Sequence, residues 1–377
     1  MLEPVANRRA TGSLKWDRRP DLDPFWVADI DFQSPPEVIA ALQERVNHGV
    51  FGYALPHPSL ITTLQSYLAK RMGYTAKEEE IVHLGGLVPA LSMAGQAFAK
   101  PGESLMTCTP TYPPFLGVHK DSKTELITVP HTQVEGVWTF DWEKMVASVK
   151  KDTRVFILSN PQNPLGRVFT EREMIKLATF CQKLDLILIS DEIHCDLILD
   201  EEETPHFSAL NLPEDLRKNT ITLLSPSKTY NIAGLGYAYA VISDHSVRKR
   251  FQSVRGHTQA EINALAYYSG EAAYQHGEPW RQELLSTLRK NRNYLTSYLA
   301  DQLPEAIVPE IAATYLAWID CQALPHDNPT KVAEEKEKLF VSDGTFFGAP
   351  KCLRFNYGCP TFRVQEGLEK LVRALRT

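Results

Sequence analysis

The stretch that decides the fold runs from residue 155 to residue 190 and reads VFILSNPQNPLGRVFTEREMIKLATFCQKLDLILIS. Its two ends, residues 155–159 and 186–190, are short apolar runs typical of buried strands. Residues 170–184 between them have the pattern of a helix that begins with a capping box formed by Thr170 and Glu173. A strand, a helix and a second strand in this order predict a right-handed βαβ unit with parallel strands.

The same alternation continues outward from this unit. Helix signals occur at residues 34–49, where Ser34 is the cap candidate and Gly49 the stop, and the sequence predicts further helices at 59–72 and 89–99. Apolar runs predict additional strands at residues 104–108, 221–225 and 237–242. The last third predicts a long charged helix at 279–303, a strand at 314–320, a helix at 331–339, a strand at 352–356 and a final helix to 375.

These elements predict an α/β fold with two domains. We expect a large domain at residues 47–275, with a mostly parallel sheet flanked by helices. Residues 1–46 and 276–377 are expected to form a smaller α+β domain, without a flexible linker between the two.

Composition narrows the class of protein. Of the 377 residues, 43% are hydrophobic and 23% charged, which is close to the average of soluble globular proteins. The net charge of -6 argues against a nucleic-acid binder, and no stretch of 18 apolar residues predicts a membrane span. Six scattered cysteines without a Cys-x-x-Cys pair argue against a metal site and favour a reducing cytoplasm.

Polar residues follow three of the predicted strands at the point where each strand ends. They occupy residues 160–166, 191–194 and 226–228. In open α/β sheets, ligands bind beyond the carboxyl ends of the strands, so these three segments predict one shared site.

The three segments also resemble the signatures of a known family. Ser225-Pro226-Ser227-Lys228-Thr229-Tyr230-Asn231, Asn163-Pro164-Leu165-Gly166 and Asp191-Glu192-Ile193-His194 are similar in order and spacing to motifs of fold-type I enzymes that depend on pyridoxal 5'-phosphate (PLP). Their order and spacing agree with the aminotransferase class I/II superfamily. Residues 26–32, 110–115 and 314–320 further resemble its cystathionine β-lyase branch, and the similarity covers nearly the whole chain.

The resemblance implies how the cofactor is held. It makes Lys228 the amine that binds the PLP aldehyde as a Schiff base and later removes the Cα proton of the substrate. Asp191 is the implied partner of the pyridine nitrogen. Alternatively, Lys228 is a solvated surface lysine, and Asp191 caps a helix or joins a structural ion pair.

Three more residues are implied around the cofactor ring. Asn163 and His194 are expected to donate hydrogen bonds to its phenolic oxygen, and Tyr112 is expected to stack on the pyridine. The sequence alone leaves an alternative role open for each: Asn163 as a turn residue, His194 as a packed histidine and Tyr112 as a core or turn tyrosine.

The phosphate group is expected at a helix N-terminus, where backbone N–H groups and the helix dipole favour a dianion. The residues implied there are Gly86, Leu87, Val88, Ser225 and Ser227; an ordinary turn at the start of a helix is the alternative.

One departure from the superfamily concerns the same phosphate. Many relatives have an arginine eight residues after the lysine, where this chain has Gly236. By resemblance to the lyase branch, Tyr53 reaches the phosphate of the neighbouring subunit, which implies a homodimer with shared active sites. A buried structural tyrosine is the alternative.

Substrate recognition is the last implied role. Arg354 matches the arginine that binds the substrate α-carboxylate, for which a planar guanidinium is suited, and a surface salt bridge is its alternative. Trp26 and Ala28 are expected to frame the pocket. Residues 351–352 and 356–358, on either side of the arginine motif, depart from the branch pattern.

The resemblance therefore predicts a carbon–sulfur β-lyase. Its substrate would be a small amino acid, cystathionine or another S-substituted L-cysteine, and its products a thiol, pyruvate and ammonia. One alternative is a class I/II aminotransferase, and another is a non-catalytic regulator. Such regulators usually carry a fused DNA-binding module, for which we expect no room because the fold begins by about residue 16.

Overall fold

The architecture is taken from a computed structural model that describes residues 2–5, 8–256 and 261–376. The strands are β1 (Asp23–Pro24), β2 (Ile81–Leu84), β3 (Ser104–Thr109), β4 (Glu125–Pro130), β5 (Thr132–Val134), β6 (Val137–Thr139), β7 (Thr153–Ser159), β8 (Ile187–Asp191), β9 (Thr220–Leu224), β10 (Ala238–Val241), β11 (Leu316–Asp320), β12 (Leu339–Phe340), β13 (Ser342–Asp343) and β14 (Cys352–Asn356). The helices are α1 (Leu14–Asp17), α2 (Pro36–His48), α3 (Pro58–Met72), α4 (Leu87–Phe98), α5 (Val118–Ser122), α6 (Trp142–Ser148), α7 (Glu171–Lys183), α8 (Glu214–Arg217), α9 (His245–Ser253), α10 (Ala264–His276), α11 (Glu278–Gln302), α12 (Pro329–Glu337) and α13 (Thr361–Leu375).

A seven-stranded sheet forms the centre of the fold, in the order β2-β10-β9-β8-β7-β3-β4. The five strands from β9 to β4 pair in parallel, and β10 alone runs antiparallel to its neighbours β2 and β9. The predicted β7-α7-β8 unit is confirmed, with its capping box between Thr170 and Glu173. The α/β class with a mostly parallel sheet is therefore confirmed.

Burial on both faces explains why the strands appear as continuous apolar runs. In β7, Val155 and Ile157 pack in one core with α4, whereas Phe156 and Leu158 pack in a second core with α7. Successive side chains of a strand point to opposite faces, so a sheet covered on both sides needs apolar residues at every position.

The sequence missed two edge strands. β4 has Val129 as its single buried side chain, so its apolar signal is weak. β2 has four residues and contains His83, which interrupts the apolar run. Short and partly exposed strands are common at the edges of sheets, where apolar patterning is least required.

A second, three-stranded antiparallel sheet contains β11, β14 and β13. In its register, Arg354 of β14 lies opposite both Trp318 and Ser342. The predicted helix at 331–339 ends earlier, at Glu337, because Lys338 adopts a left-handed conformation and Leu339 begins β12. The predicted domain boundaries at residues 47 and 275 stay a prediction.

The predicted cap of α2 was wrong. Pro35 is the residue before the helix and makes no side-chain cap, whereas the Ser34 hydroxyl donates to the Asn231 carbonyl at 3.0 Å. Gly49 does end the helix, with a φ of 77°. Ser34 thus ties the N-terminal segment to the loop that follows β9.

Candidate functional site

A cavity of about 280 Å³ lies at the carboxyl edge of the large sheet. The segments that follow β2, β3, β7, β8 and β9 reach this edge, as does the start of the antiparallel strand β10. The lining residues are Val27, Ala28, Gly85, Gly86, Leu87, Val88, Pro89, Tyr112, Ser159, Asn163, Asp191, Ile193, His194, Ser225, Ser227, Lys228, Ala233, Gly236, Tyr237 and Arg354. The sequence predicted fourteen residues that bind the cofactor or the substrate. The structure brings twelve of them to this cavity, and the two exceptions are Trp26 and Tyr53.

Lys228 is the amine of this cavity, and the residue is half-buried. Its Nζ donates to the backbone carbonyl of Ala28 at 2.8 Å. Burial, with a contribution from the charge of Arg354, lowers its pKa to about 8 against the opposing charges of Asp29 and Asp191. An amine with a pKa this low is available as a nucleophile or base near neutral pH.

Asp191 ends β8 as a buried carboxyl group. Burial raises its pKa to about 7, although the backbone N–H of Ile193 donates to Oδ1 at 3.2 Å. Within the described residues, no cationic side chain forms an ion pair with it. A buried acid of this kind gains most from a cationic ligand group placed against it.

Arg354 is a buried guanidinium whose neighbours are neutral. Nη1 donates to Oδ1 of Asn163 at 3.0 Å and Nη2 to the Trp26 carbonyl at 2.9 Å, while the ring of Phe347 lies 4.7 Å from the guanidinium carbon. Burial lowers its pKa to about 10, and in the described part of the chain no carboxylate pairs with it. Such a group is suited to receive an anion from solution.

The remaining polar walls come from Asn163, His194 and Tyr112. The Asn163 oxygen is the acceptor for Arg354, which leaves its amide nitrogen available as a donor. Burial lowers the pKa of His194 to about 3, so its ring is neutral, and Nδ1 has no hydrogen-bond partner among the described residues. The Tyr112 ring stands edge-on to Phe115, with centroids 6.0 Å apart.

Backbone donors gather at the start of the twelve-residue helix α4, whose first residues line the cavity. Ser225 and Ser227 face the same space, and their hydroxyl oxygens lie 2.9 Å apart. Gly236 has a φ of 67°, and a Cβ atom there would lie 3.1 Å from the Gly85 carbonyl oxygen. A side chain at position 236 would therefore be strained.

Trp26 and Tyr53 lie outside the cavity of the protomer. The Trp26 ring stacks on Phe340, and its contribution is the backbone carbonyl that accepts from Arg354. Tyr53 is fully exposed, beside residues 261–265. Its predicted role in a neighbouring subunit stays a prediction.

Sequence reasoning missed several lining residues. Ser159 lies directly opposite Asp191 in the β7–β8 register, so the strand alignment could have identified it. Tyr237 lines the cavity at the start of β10, and its carbonyl accepts from Ser225 at 2.6 Å. That position follows from the antiparallel direction of β10, for which the sequence carries no local signal.

The residues of the cavity fit PLP. They offer an amine with a lowered pKa, a carboxyl group that lacks a cation, and helix N–H groups beside two hydroxyls. The buried Nδ1 of His194 and Nε of Arg354 have no protein partner in the described residues. Buried polar atoms of this kind are normally satisfied, so they are available to a polar ligand.

The model of the family "aminotransferase class I and II" matches residues 26–371. The chain therefore belongs to the aminotransferase class I and II family, as its motifs predicted.

The relatives include lyases. Cystathionine beta-lyase PatB of Bacillus subtilis (strain 168) is 33% identical over 380 residues, which cover 98% of each chain. The crystal structure of OvoB has a TM-score of 0.96 at 34% identity and covers 100% of this chain and 99% of its own. The PLP-bound C-S lyase from Staphylococcus hominis has a TM-score of 0.91 at 29% identity, covering 99% and 97% respectively.

Proposed function

We propose that the protein is a PLP-dependent carbon–sulfur β-lyase that converts cystathionine or other S-substituted L-cysteines into a thiol, pyruvate and ammonia. The joint placement of Lys228, Asp191 and Arg354 on one cavity supports the PLP chemistry, and the 33% identity to cystathionine beta-lyase PatB of Bacillus subtilis favours the lyase reaction. Each of the three is an ionisable group whose pKa is shifted by burial; Asp191 and Arg354 are buried, and Lys228 is half-buried. Shifted groups of this kind concentrate at catalytic sites.

The cofactor would be held by residues already described. Lys228 would bind its aldehyde, Asp191 its pyridine nitrogen, and the start of α4 with Ser225 and Ser227 its phosphate. Tyr112 would stack on the ring, and Asn163 and His194 would face its phenolic oxygen. When bound, PLP supplies an electron sink that makes the Cα–H bond of an amino acid acidic.

The chain's own groups then have separate tasks. Arg354 binds the α-carboxylate of the substrate and orients it through two parallel N–H groups. Nζ of Lys228 accepts the proton from Cα, the Cβ–S bond breaks, and the bonding electrons leave with the sulfur. The same Nζ can return its proton to the departing sulfur, which releases the thiol, and water completes the conversion of the remaining carbon skeleton to pyruvate and ammonia.

We further propose that the enzyme acts as a cytoplasmic homodimer. The buried state of all six cysteines, none of which is disulfide-bonded, is compatible with a reducing compartment. Phe51, Tyr53 and Leu55 form an exposed apolar segment, with 61%, 101% and 84% exposure, of the kind that a second protomer covers. In the described residues no helix is both long and apolar enough to span a membrane.

Product analysis tests the proposed reaction. Purified protein loaded with PLP should release thiol and pyruvate in equal amounts from cystathionine or S-methyl-L-cysteine, and the Lys228→Ala variant should release neither. Absence of both products from a panel of S-substituted cysteines would refute the lyase. Conversion of bound PLP to its pyridoxamine form by amino acids without a leaving group would instead indicate an aminotransferase.

A further inference from the structure

Residues 26–32, here called the strap, pass beside the cavity, which Val27 and Ala28 line, without joining either sheet. Their backbone carbonyls are held by side chains from distant parts of the chain. The Trp26 carbonyl accepts from Arg354, and the Ala28 carbonyl accepts from Lys228. The strap is thus in direct contact with the Lys228 amine and with the Arg354 guanidinium.

Ala28 lies at the corner of a tight turn in the strap. The Asp29 N–H donates to the Val27 carbonyl at 2.9 Å, which closes a three-residue turn. Nδ2 of Asn356 donates to the carbonyls of the two outer residues, Val27 at 2.6 Å and Asp29 at 2.8 Å. Asn356 is fully buried, and its own oxygen accepts from the Gly358 N–H at 2.7 Å.

A second asparagine holds the other half of the strap. Nδ2 of Asn231 donates to the carbonyls of Ile30 at 3.0 Å and Phe32 at 2.8 Å. Asn231 lies three residues after Lys228, in the same loop, and has a φ of 56°. The lysine loop and the strap are therefore fixed to each other at Asn231 as well as at Nζ.

We propose that Asn356 and Asn231 are positioning residues that hold the turn at Ala28 so that its carbonyl faces the Lys228 amine. Neither side chain lines the cavity, so both act through the strap. A carbonyl oxygen only accepts, so it fixes the direction of one N–H of the amine and leaves the nitrogen lone pair to point elsewhere. The inference rests on the proposed role of Lys228 as the reacting amine.

The charged groups around Lys228 determine what a loosened strap would do. Asp29, on the strap, and Asp191 favour the ammonium form, whereas Arg354 disfavours it; His194 is neutral. Asp29 itself pairs with Arg8 at 2.6 Å. Loosening the strap would remove both the Ala28 acceptor and the Asp29 charge from the amine. Both losses favour the neutral amine, so the pKa of Lys228 should fall.

Asn291 provides a matched control. It is fully buried, and its Nδ2 likewise donates to two carbonyls, those of Tyr357 at 3.0 Å and Cys359 at 2.8 Å. Its carbonyl partners lie outside the strap. Substituting Asn291 therefore removes the same kind of side chain and the same kind of hydrogen bonds without removing a bond to a carbonyl of the strap.

The experiment measures Lys228 directly, without cofactor or substrate. The full chain, freed of PLP, is treated with trinitrobenzenesulfonate between pH 6 and 10, and modification of Lys228 is quantified by peptide mass spectrometry. We expect a midpoint near 8 for the wild type, and for Asn356→Ala a midpoint lower by about half a pH unit or more. Asn291→Ala should keep the wild-type midpoint while losing comparable thermal stability.

An unchanged midpoint in folded Asn356→Ala, or an equal shift in Asn291→Ala, would overturn the proposal. If Asn356→Ala does not fold, Asn231→Gly replaces it, because glycine tolerates the positive φ at this position; its midpoint should fall as well. Neither result depends on lyase activity. A failure of the proposed reaction and a failure of the proposed positioning are therefore distinguishable.

Discussion

Nη1 of Arg354 donates to Oδ1 of Asn163 at 3.0 Å, although the two residues are separated by 191 positions in the chain. Asn163 follows β7 of the large sheet, and Arg354 lies in β14 of the small one. This hydrogen bond joins the part of the cavity that follows the large sheet to the part that the small sheet contributes. It leaves Arg354 with neutral partners and a full positive charge.

Substituting Arg354 should mainly weaken substrate binding. Loss of a charge-assisted bidentate bond of about 1.5–3 kcal/mol predicts that Arg354→Gln lowers kcat/KM roughly 10- to 150-fold, chiefly through KM. Pyruvate release from S-methyl-L-cysteine provides the measurement. Arg281→Gln is the control, because Arg281 is equally buried but paired with Glu201 and Glu278; it should cost stability and leave KM unchanged. An unchanged KM in Arg354→Gln would contradict the assignment.

Neutralising Asp191 should stabilise the cofactor-free protein. The unfolded carboxyl ionises near 3.8, whereas the folded one keeps its proton up to about 7. Between these values the folded state binds more protons, so stability falls as pH rises through this window. Asp191→Asn removes this effect and should gain on the order of 2–4 kcal/mol at pH 7.5, with little gain near pH 4.

Urea unfolding of the cofactor-free protein at several pH values measures that gain. Glu192→Gln is the comparison, since Glu192 is also buried but accepts from Ser190 and Ala209 and pairs with His206. It should not gain stability. A gain in Asp191→Asn that is the same at pH 4 and pH 7.5 would show that ionisation is not its cause.

The role of Tyr53 can be tested by mixing two inactive proteins. Lys228→Ala lacks the amine and Tyr53→Ala lacks the phenol, so a mixed dimer contains one complete site if Tyr53 serves the neighbouring subunit. Unfolding and refolding the two variants together should give about a quarter of the wild-type activity, because half of the dimers are mixed and each has one working site. No recovery in demonstrably mixed dimers would refute the shared site.

Any side chain at position 236 should lower the stability of the protein. Its φ is 67°, and a Cβ atom at this position would lie 3.1 Å from the Gly85 carbonyl oxygen, so Gly236→Ala should cost about 1–2 kcal/mol of the free energy of unfolding. Gly234→Ala serves as the comparison, because a Cβ there meets no atom within 4 Å and its φ is not positive. Equal denaturation midpoints for the two variants would contradict the expected backbone strain.

The sequence was sufficient for the family, the α/β class and most of the cavity, because strand ends and short motifs are local signals. It could not identify Asn356 as a partner of the strap, since that contact joins residues 327 and 329 positions apart. It also carried no information on the direction of β10, because a buried strand has the same apolar pattern whichever way it runs. The lowered pKa of Lys228 depends on burial and on three charges brought together by folding.

The strap affects the order in which the parts of the protein fold. Its contacts with Lys228 and Asn356 span 200 and more residues, so closing them costs about 2 kcal/mol more in chain entropy than closing a single βαβ unit. The cavity should therefore be among the last parts to form during folding. Cofactor uptake in a refolding experiment should then lag behind the recovery of the helical signal. Its onset would report when the strap has formed its contacts with Lys228 and Asn356.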